Sequence, residues 1–274
     1  MRTPSQVLST GTAVYISGRG RPLVVISGGP GLSSRIYQKY LAPLAEKYQL
    51  ILWDYQGTGA SRAHSEFSFE ADYHDFDSLM NELGLKNVNV LAHSYGSLVA
   101  LRYATQNPDR IAKLILSGGS PTFEKSHMES FDRKKETFDA ADYERYEKIM
   151  PYLLMNLASK EDALEFMRLE WKFHFHRKLT SEEIDALVED AEFNMTAFLS
   201  NTDWIEADYT SKLASIKSPT LVLTSKHDGP VPPKYAEPLR QIPNSKFFEF
   251  ENSGHWPLID ETELFRRQVE EFLG

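Results

Sequence analysis

The sequence predicts an α/β protein whose mostly parallel sheet is covered by helices on both faces and interrupted by a helical insertion. Three observations favour this class. Short, continuously apolar segments alternate with helix-periodic segments through the first 121 residues, as expected for buried parallel strands joined by helices. Residues 122–209 contain no convincing strand pattern. The alternation of strand and helix patterns then returns in residues 210–274.

Each element of the first part follows from its local pattern. Apolar segments bounded by polar or turn-forming residues predict strands at residues 13–17, 23–27, 49–54, 88–93 and 111–117. Apolar residues at helical spacing predict helices at residues 37–48, 69–83 and 98–105. Pro43 predicts a break or a late start in the first of these helices. Gly84 stops the second helix, and Pro108 follows the third.

The same patterns organise the rest of the chain. Residues 122–209 are charged, aromatic and helix-periodic, as in residues 162–175 (DALEFMRLEWKFHF). Beyond them, the patterns predict strands at residues 219–225 and 246–250 and helices at residues 234–240 and 261–273. We therefore predict one α/β core, made of residues 1–121 and 210–274, and a helical lid (cap) inserted at residues 122–209.

Composition excludes several classes of protein. The 274 residues are 41% hydrophobic and 25% charged, which is typical of a globular protein. No apolar run approaches the roughly 20 residues that span a bilayer, and the N-terminus lacks the apolar stretch of a signal peptide. A net charge of −9 disfavours nucleic acid and anionic membranes as partners. The sequence has no cysteine, so disulfides and cysteine zinc sites are excluded, and we expect a cytoplasmic location.

A candidate nucleophile lies in residues 92–96 (AHSYG), which join a predicted strand directly to a predicted helix. A serine on such a sharp turn needs small residues two positions away on each side, because the backbone there is crowded. Ala92 and Gly96 supply them. We therefore predict that Ser94 is a catalytic nucleophile. The alternative is an ordinary serine at a helix N-cap.

A serine nucleophile needs a base, and the base needs an orienting acid. Asp228 follows the predicted strand 219–225, and His255 lies between the strand 246–250 and the last helix. All three residues then follow strands at the edge where open α/β sheets bind ligands. We predict a catalytic triad of Ser94, His255 and Asp228. The alternatives are a turn aspartate and a histidine at a helix start.

The same chemistry needs donors for an oxyanion. The backbone N–H of Tyr95, directly after the nucleophile, is one candidate. The second is the N–H of Gly29 in residues 28–31 (GGPG), where the absence of side chains admits a substrate. A phosphate-binding loop is the alternative, but no Lys-Ser/Thr pair follows and Pro30 lacks an N–H. We predict an enzyme that needs no cofactor and no metal.

Residues 28–31 and 54–61 (DYQGTGAS) resemble signatures of the proline iminopeptidase family, and the chain resembles the α/β-hydrolase superfamily over essentially its full length. The resemblance implies an enzyme that removes N-terminal residues, proline above all, from peptides. Its relatives include amidases, esterases and lactonases. Ser27 stands where the family has histidine, and residues 92–96 depart from its GGSWG pattern.

The resemblance also implies that lid carboxylates recognise the free amine of the substrate. Glu170, beside Trp171, and Glu192 are the candidate substrate-binding residues, and a solvated helix face is the alternative for each carboxylate. His174 and His176 diverge on a helix, so we do not predict a metal site there. Two functions stay open beside an aminopeptidase or amidase. One is a carboxylesterase or lactonase acting on small hydrophobic esters, and the other is a signalling protein that binds a small ligand. The expected partner is a small molecule or a short peptide.

Overall fold

The computed structural model describes residues 3–63, 66–155 and 157–274. The strands are β1 (Gln6–Val7), β2 (Ala13–Ser17), β3 (Arg21–Ile26), β4 (Tyr48–Trp53), β5 (Val88–His93), β6 (Ile111–Ser117), β7 (Thr220–Ser225) and β8 (Lys246–Phe250). They form one sheet in the order β1-β2-β4-β3-β5-β6-β7-β8. Strand β2 pairs antiparallel with β1 and β4, and the pairs from β4 through β8 are parallel. The prediction of a mostly parallel sheet is confirmed.

Helices cover both faces of this sheet. They are α1 (Arg35–Tyr40), α2 (Phe69–Glu82), α3 (Gly96–Gln106), α4 (Glu124–Thr137), α5 (Ala140–Leu154), α6 (Lys160–His174), α7 (Ser181–Ala191), α8 (Met195–Ser200), α9 (Pro257–Asp260) and α10 (Thr262–Leu273). Alternate residues of β3 face opposite sides. Val24 and Ile26 pack in a cluster with residues of α2 and α3, whereas Leu23 and Val25 pack with residues of α1 and α10. Across the described ranges, none of the helices has the length and apolar character needed to cross a membrane.

Helices α4 to α8 lie in residues 122–209, the segment predicted as an insertion, and they follow β6 in the chain. Its two ends meet, because Thr122 and Asp208 form an antiparallel bridge and the N–H of Tyr209 donates to the carbonyl of Pro121 over 2.9 Å. The insertion therefore leaves and rejoins the core at one place, between β6 and the adjacent strand β7. Its function as a lid stays a prediction.

One segment differs from its predicted form, and another divides where a break was expected. Residues 234–240 form two 3₁₀ turns, Pro233–Tyr235 and Glu237–Gln241, instead of one α-helix. Pro238 lacks the N–H group that a continuous helix through these residues would use. The predicted helix at 37–48 divides into α1 and a 3₁₀ helix, Ala42–Glu46, which agrees with the break expected at Pro43.

Candidate active site

Ser94 lies in the tight turn between β5 and α3. Its φ of +51° is a left-handed conformation that residues other than glycine rarely adopt. The same turn brings Gly96 so close to the backbone oxygen of Ser27 that a Cβ atom would not fit. The small residue predicted two positions after the serine is therefore required, because the backbone at the end of β3 approaches Gly96 closely. Backbone strain of this kind clusters at functional sites and is the expected geometry of a nucleophile on such a turn.

Asp228 and His255 meet in the loops after β7 and β8. The Nδ1–H of His255 donates to Oδ2 of Asp228 over 2.8 Å, and both side chains are buried. Oδ1 of Asp228 accepts the backbone N–H of Val231 over 2.6 Å, so both oxygens of the carboxylate are held. Because Nδ1 is engaged, Nε2 is the nitrogen of His255 that is left to exchange a proton with a substrate or nucleophile.

Ser94 and His255 line one cavity of about 360 Å³. This volume falls within the range of roughly 300–1,000 Å³ that small-molecule sites occupy. No hydrogen bond joins Ser94 Oγ to the ring of His255 in the described part of the chain. Such bonds are often long before a substrate binds, so the shared cavity is the more informative observation. The insertion supplies most of the apolar lining, including Phe123, Phe131, Leu153, Phe166, Phe173 and Trp204.

Gly29 and Tyr95 also line this cavity. Among the described residues, neither backbone N–H has a protein acceptor. The neighbouring N–H of Gly28 is not available in the same way, because it donates to Oη of Tyr37 over 2.8 Å. The two N–H groups predicted to bind an oxyanion are therefore free to do so beside Ser94.

A hydrogen-bonded chain behind the site was not predicted. Oη of Tyr37 lies 2.7 Å from Nδ1 of His93, and Nε2 of His93 lies 2.8 Å from the carbonyl oxygen of His255. A carbonyl only accepts, so Nε2 of His93 carries the proton and Tyr37 donates to Nδ1. Burial lowers the pKa of His93 and keeps its ring neutral. The chain links the Gly28 loop, the end of β5 and the loop of His255.

The two predicted residues of α6, Glu170 and Trp171, both line the cavity. Oε1 of Glu170 lies 2.6 Å from Nζ of Lys134, a residue of α4 that was not predicted as part of the site. Burial alone would raise the pKa of Glu170, but the nearby Lys134 and His174 lower it to about 2. Glu170 is therefore ionised at neutral pH, and its charge is already balanced by an internal ammonium.

Glu192 does not line the cavity that contains Ser94. Its Oε1 pairs with Nη1 of Arg35 over 3.0 Å, and Oε2 accepts a hydrogen bond from Ser33 over 3.5 Å. Arg35 also lies 3.6 Å from Asp190 of α7. In the structure, Glu192 thus joins the end of α7 to the start of α1.

His174 is the last residue of α6, His176 lies beyond the end of the helix, and the two histidines have different surroundings. His174 lines the cavity, and its Nδ1 accepts the Nε1–H of Trp256 over 3.1 Å. His176 is exposed and stacks on His227, with ring centroids 3.5 Å apart. The two side chains therefore have separate environments, but helical spacing is not the cause, because α6 ends at His174.

The site and the sheet define a hydrolase of the α/β class, and comparison with known proteins agrees. Residues 21–262 match the family described as having the alpha/beta hydrolase fold, so the chain belongs to that family. The resemblance drawn from the sequence is confirmed, and the chain is an enzyme of the hydrolase class.

Named relatives cover a range of activities. A proline iminopeptidase from Clostridioides difficile is 30% identical, with 93% of this chain and 90% of that protein covered. A 2-hydroxy-6-oxononadienedioate/2-hydroxy-6-oxononatrienedioate hydrolase from Pseudomonas putida is 29% identical, with 93% and 89% covered. The structure of an esterase from Exiguobacterium antarcticum has a TM-score of 0.76 at 23% identity, and 97% of each chain is covered. This last likeness shows the fold alone.

Proposed function

We propose that the chain is a serine hydrolase in which Ser94, His255 and Asp228 act as a catalytic triad. The observation that carries the proposal is the 2.8 Å hydrogen bond between His255 and Asp228, at the cavity that Ser94 lines. The strained turn at Ser94 and the free N–H groups of Gly29 and Tyr95 support it.

The proposed reaction has two halves. Ser94 Oγ attacks the substrate carbonyl carbon while His255 Nε2 takes its proton, and Asp228 stabilises the resulting imidazolium. The N–H groups of Gly29 and Tyr95 bind the oxyanion of the tetrahedral intermediate. The proton then passes from His255 to the leaving group, which departs and leaves an acyl-enzyme. Water, deprotonated by His255, attacks the acyl carbon and releases the acid, and the proton returns to Ser94.

For the substrate class, we propose small neutral esters. The cavity lining is mainly apolar, and such a surface favours an uncharged acyl group. The opposite charges of Lys134 and Glu170 cancel within the cavity. A neutral ester would leave that ion pair intact, whereas a charged substrate would add an unbalanced charge to a buried site.

An aminopeptidase of the proline iminopeptidase type is the second candidate. Glu170 lies in the cavity beside Trp171, and a proline iminopeptidase is among the relatives. In this case the carboxylate of Glu170 would bind the substrate ammonium, and Lys134 would have to move away from it. The helices of residues 122–209, which carry these residues, would act as the predicted lid.

A substrate panel tests these alternatives. Fluorophosphonate should label the native protein and not Ser94→Ala, and neutral p-nitrophenyl esters should be turned over faster than free-amine or N-acylated aminoacyl anilides. Absence of labelling in folded protein would contradict the serine hydrolase and favour a ligand-binding protein.

A preference for free-amine anilides would favour the second candidate. Glu170→Gln should then lower kcat/KM for those substrates by roughly 10- to 150-fold, since a charged hydrogen bond contributes about 1.5–3 kcal/mol. The matched control is Glu192→Gln, because Glu192 does not line the cavity.

A further inference from the structure

We propose that the cavity contains a site for an ammonium group and that the side chain of Lys134 occupies this site. Lys134 thereby excludes amine substrates. The ammonium site is formed by the carboxylate of Glu170 and the rings of Phe131, Tyr146 and Phe173. The inference rests on the proposed hydrolase function and extends it to substrate specificity.

The geometry around Lys134 Nζ is that of a bound cation. The nitrogen lies 2.6 Å from Oε1 of Glu170 and 3.5 Å from Oη of Tyr146. It is 5.0 Å from the ring centroid of Tyr146, 5.2 Å from that of Phe173 and 5.8 Å from that of Phe131. Cations within about 6 Å of an aromatic centroid are attracted by the ring, and several rings with a carboxylate make a cage that suits an ammonium.

This ammonium site opens onto the reaction cavity, because all four of its residues and Lys134 line that cavity. Helix α4 supplies Lys134 and Phe131, α5 supplies Tyr146, and α6 supplies Glu170 and Phe173. The site therefore exists only when the three helices of the insertion pack together. Its position in the cavity makes it accessible to the same small molecules that reach Ser94.

Burial makes the charges interdependent. The side chain of Lys134 is 9% exposed and that of Glu170 is 17% exposed. Loss of the ammonium would leave His174 as the remaining neighbour that could balance the carboxylate, with its Nε2 3.6 Å from Oε2 of Glu170. Burial lowers the pKa of His174 and opposes its protonation, so the buried carboxylate would lack a full counter-charge, which is strongly unfavourable. Glu170 therefore needs a cation, and Lys134 provides it within the chain. A substrate ammonium can reach Glu170 only by displacing a tethered competitor.

Removal of the competitor should open the site. Lys134→Ala deletes Cγ, Cδ, Cε and Nζ, which together correspond to n-propylammonium. We expect that n-propylammonium chloride raises the Tm of Lys134→Ala by several degrees, while n-propanol and sodium chloride do not. The native protein should not respond, since its own lysine fills the site. Lys148→Ala is a matched control, because Lys148 pairs with Glu144 at the same 2.6 Å but on the exposed surface.

Substrate preference gives a second readout. The ratio of kcat/KM for free-amine to N-acylated aminoacyl anilides should rise at least tenfold in Lys134→Ala, and the rise should be absent in Lys134→Ala/Glu170→Gln. If Lys134→Ala does not fold alone, refolding should succeed with n-propylammonium and fail with n-propanol. Lys134→Met, which keeps an apolar side chain of nearly the same length and removes the ammonium, should then be tested for the same ratio. An equal response to the amine and to the alcohol, or an unchanged ratio, would overturn the proposal.

The two proposals can fail separately. Fluorophosphonate labelling of Ser94 without any effect of the amine would overturn the ammonium site and leave the proposed function standing. Stabilisation by the amine without labelling would support the ammonium site and overturn the serine hydrolase.

Discussion

The carbonyl oxygen of His255 accepts a hydrogen bond from Nε2–H of His93 over 2.8 Å. His93 directly precedes Ser94, so this bond ties the backbone of the candidate base to the turn that carries the candidate nucleophile. Tyr37 fixes the tautomer of His93 by donating to Nδ1. Since small displacements of reacting groups lower rates greatly, this chain of bonds should contribute to catalysis by positioning.

The first prediction concerns Tyr37→Phe. Loss of the hydroxyl leaves Nδ1 of His93 and the N–H of Gly28 buried without a partner, which costs about 1–3 kcal/mol. The looser chain should also let His255 shift from its reactive position, so we expect kcat for an ester to fall about tenfold, which corresponds to about 1.4 kcal/mol of activation free energy, while KM changes little. Steady-state kinetics measure both constants. Tyr40→Phe, on the same helix, should behave as native protein, and an equal loss in both variants would contradict the positioning role.

The second prediction concerns the triad itself. Ser94→Ala and His255→Ala should each lower kcat by about 10⁴–10⁶, and Asp228→Asn should be milder, because the residues of a catalytic triad act as a unit. Circular dichroism should show that the variants stay folded. Native rates of hydrolysis by Ser94→Ala would rule out this serine as the nucleophile.

The third prediction concerns pH and Asp72 of α2. Burial is the main cause that raises the pKa of Asp72 to about 8, and the charges of Asp75 and Asp203 add to it, although hydrogen bonds from Tyr95 and Asn201 oppose it. Between about pH 4 and pH 8, Asp72 keeps its proton in the folded protein and loses it in the unfolded chain. The free energy of unfolding should therefore fall as pH rises from about 4 towards 8.

Asp72→Asn should remove this part of the pH dependence and stabilise the protein most at alkaline pH. Urea unfolding at pH 6, 7, 8 and 9 measures the effect. The matched control is Asp77→Asn, a substitution on the same helix. If the difference in unfolding free energy between native protein and Asp72→Asn does not change with pH, then Asp72 is ionised in the folded protein throughout this range and the prediction is wrong.

Sequence patterns could predict the sheet and the positions of the three candidate triad residues at the ends of strands, because both depend on local signals. Apolar runs mark the strands, and Ser94, Asp228 and His255 each follow one of them. Lys134 gave no such signal. It pairs with a residue 36 positions away on another helix, and only the packing of the insertion brings the two together. The same is true of Glu192, whose partner Arg35 lies on α1.

Tyr37 and His93 were missed for a different reason. Tyr37 fits the apolar side of a helix, and a buried aromatic residue is usually part of a core. Its role depends on where the hydroxyl points, which periodicity does not report. His93 stands at a position where the nucleophile pattern accepts any residue, so the sequence gives no sign of its role. Its contact with His255 becomes visible only when the loops after β5 and β8 are placed side by side.

The last prediction separates backbone strain from contact with the base. Gly118 and Gly84 have φ of +56° and +61°, so alanine at either position should cost about 1–2 kcal/mol of stability. A Cβ atom at position 118 would lie 3.1 Å from Cε1 of His255, whereas at position 84 it would meet nothing within 4 Å. We therefore expect similar losses of stability in urea unfolding, and a fall in kcat of about tenfold or more only in Gly118→Ala. Equal kcat in both variants would show that the imidazole can shift without loss of function. That result would contradict the tight placement of His255, which we infer from its hydrogen bonds to Asp228, His93 and His174.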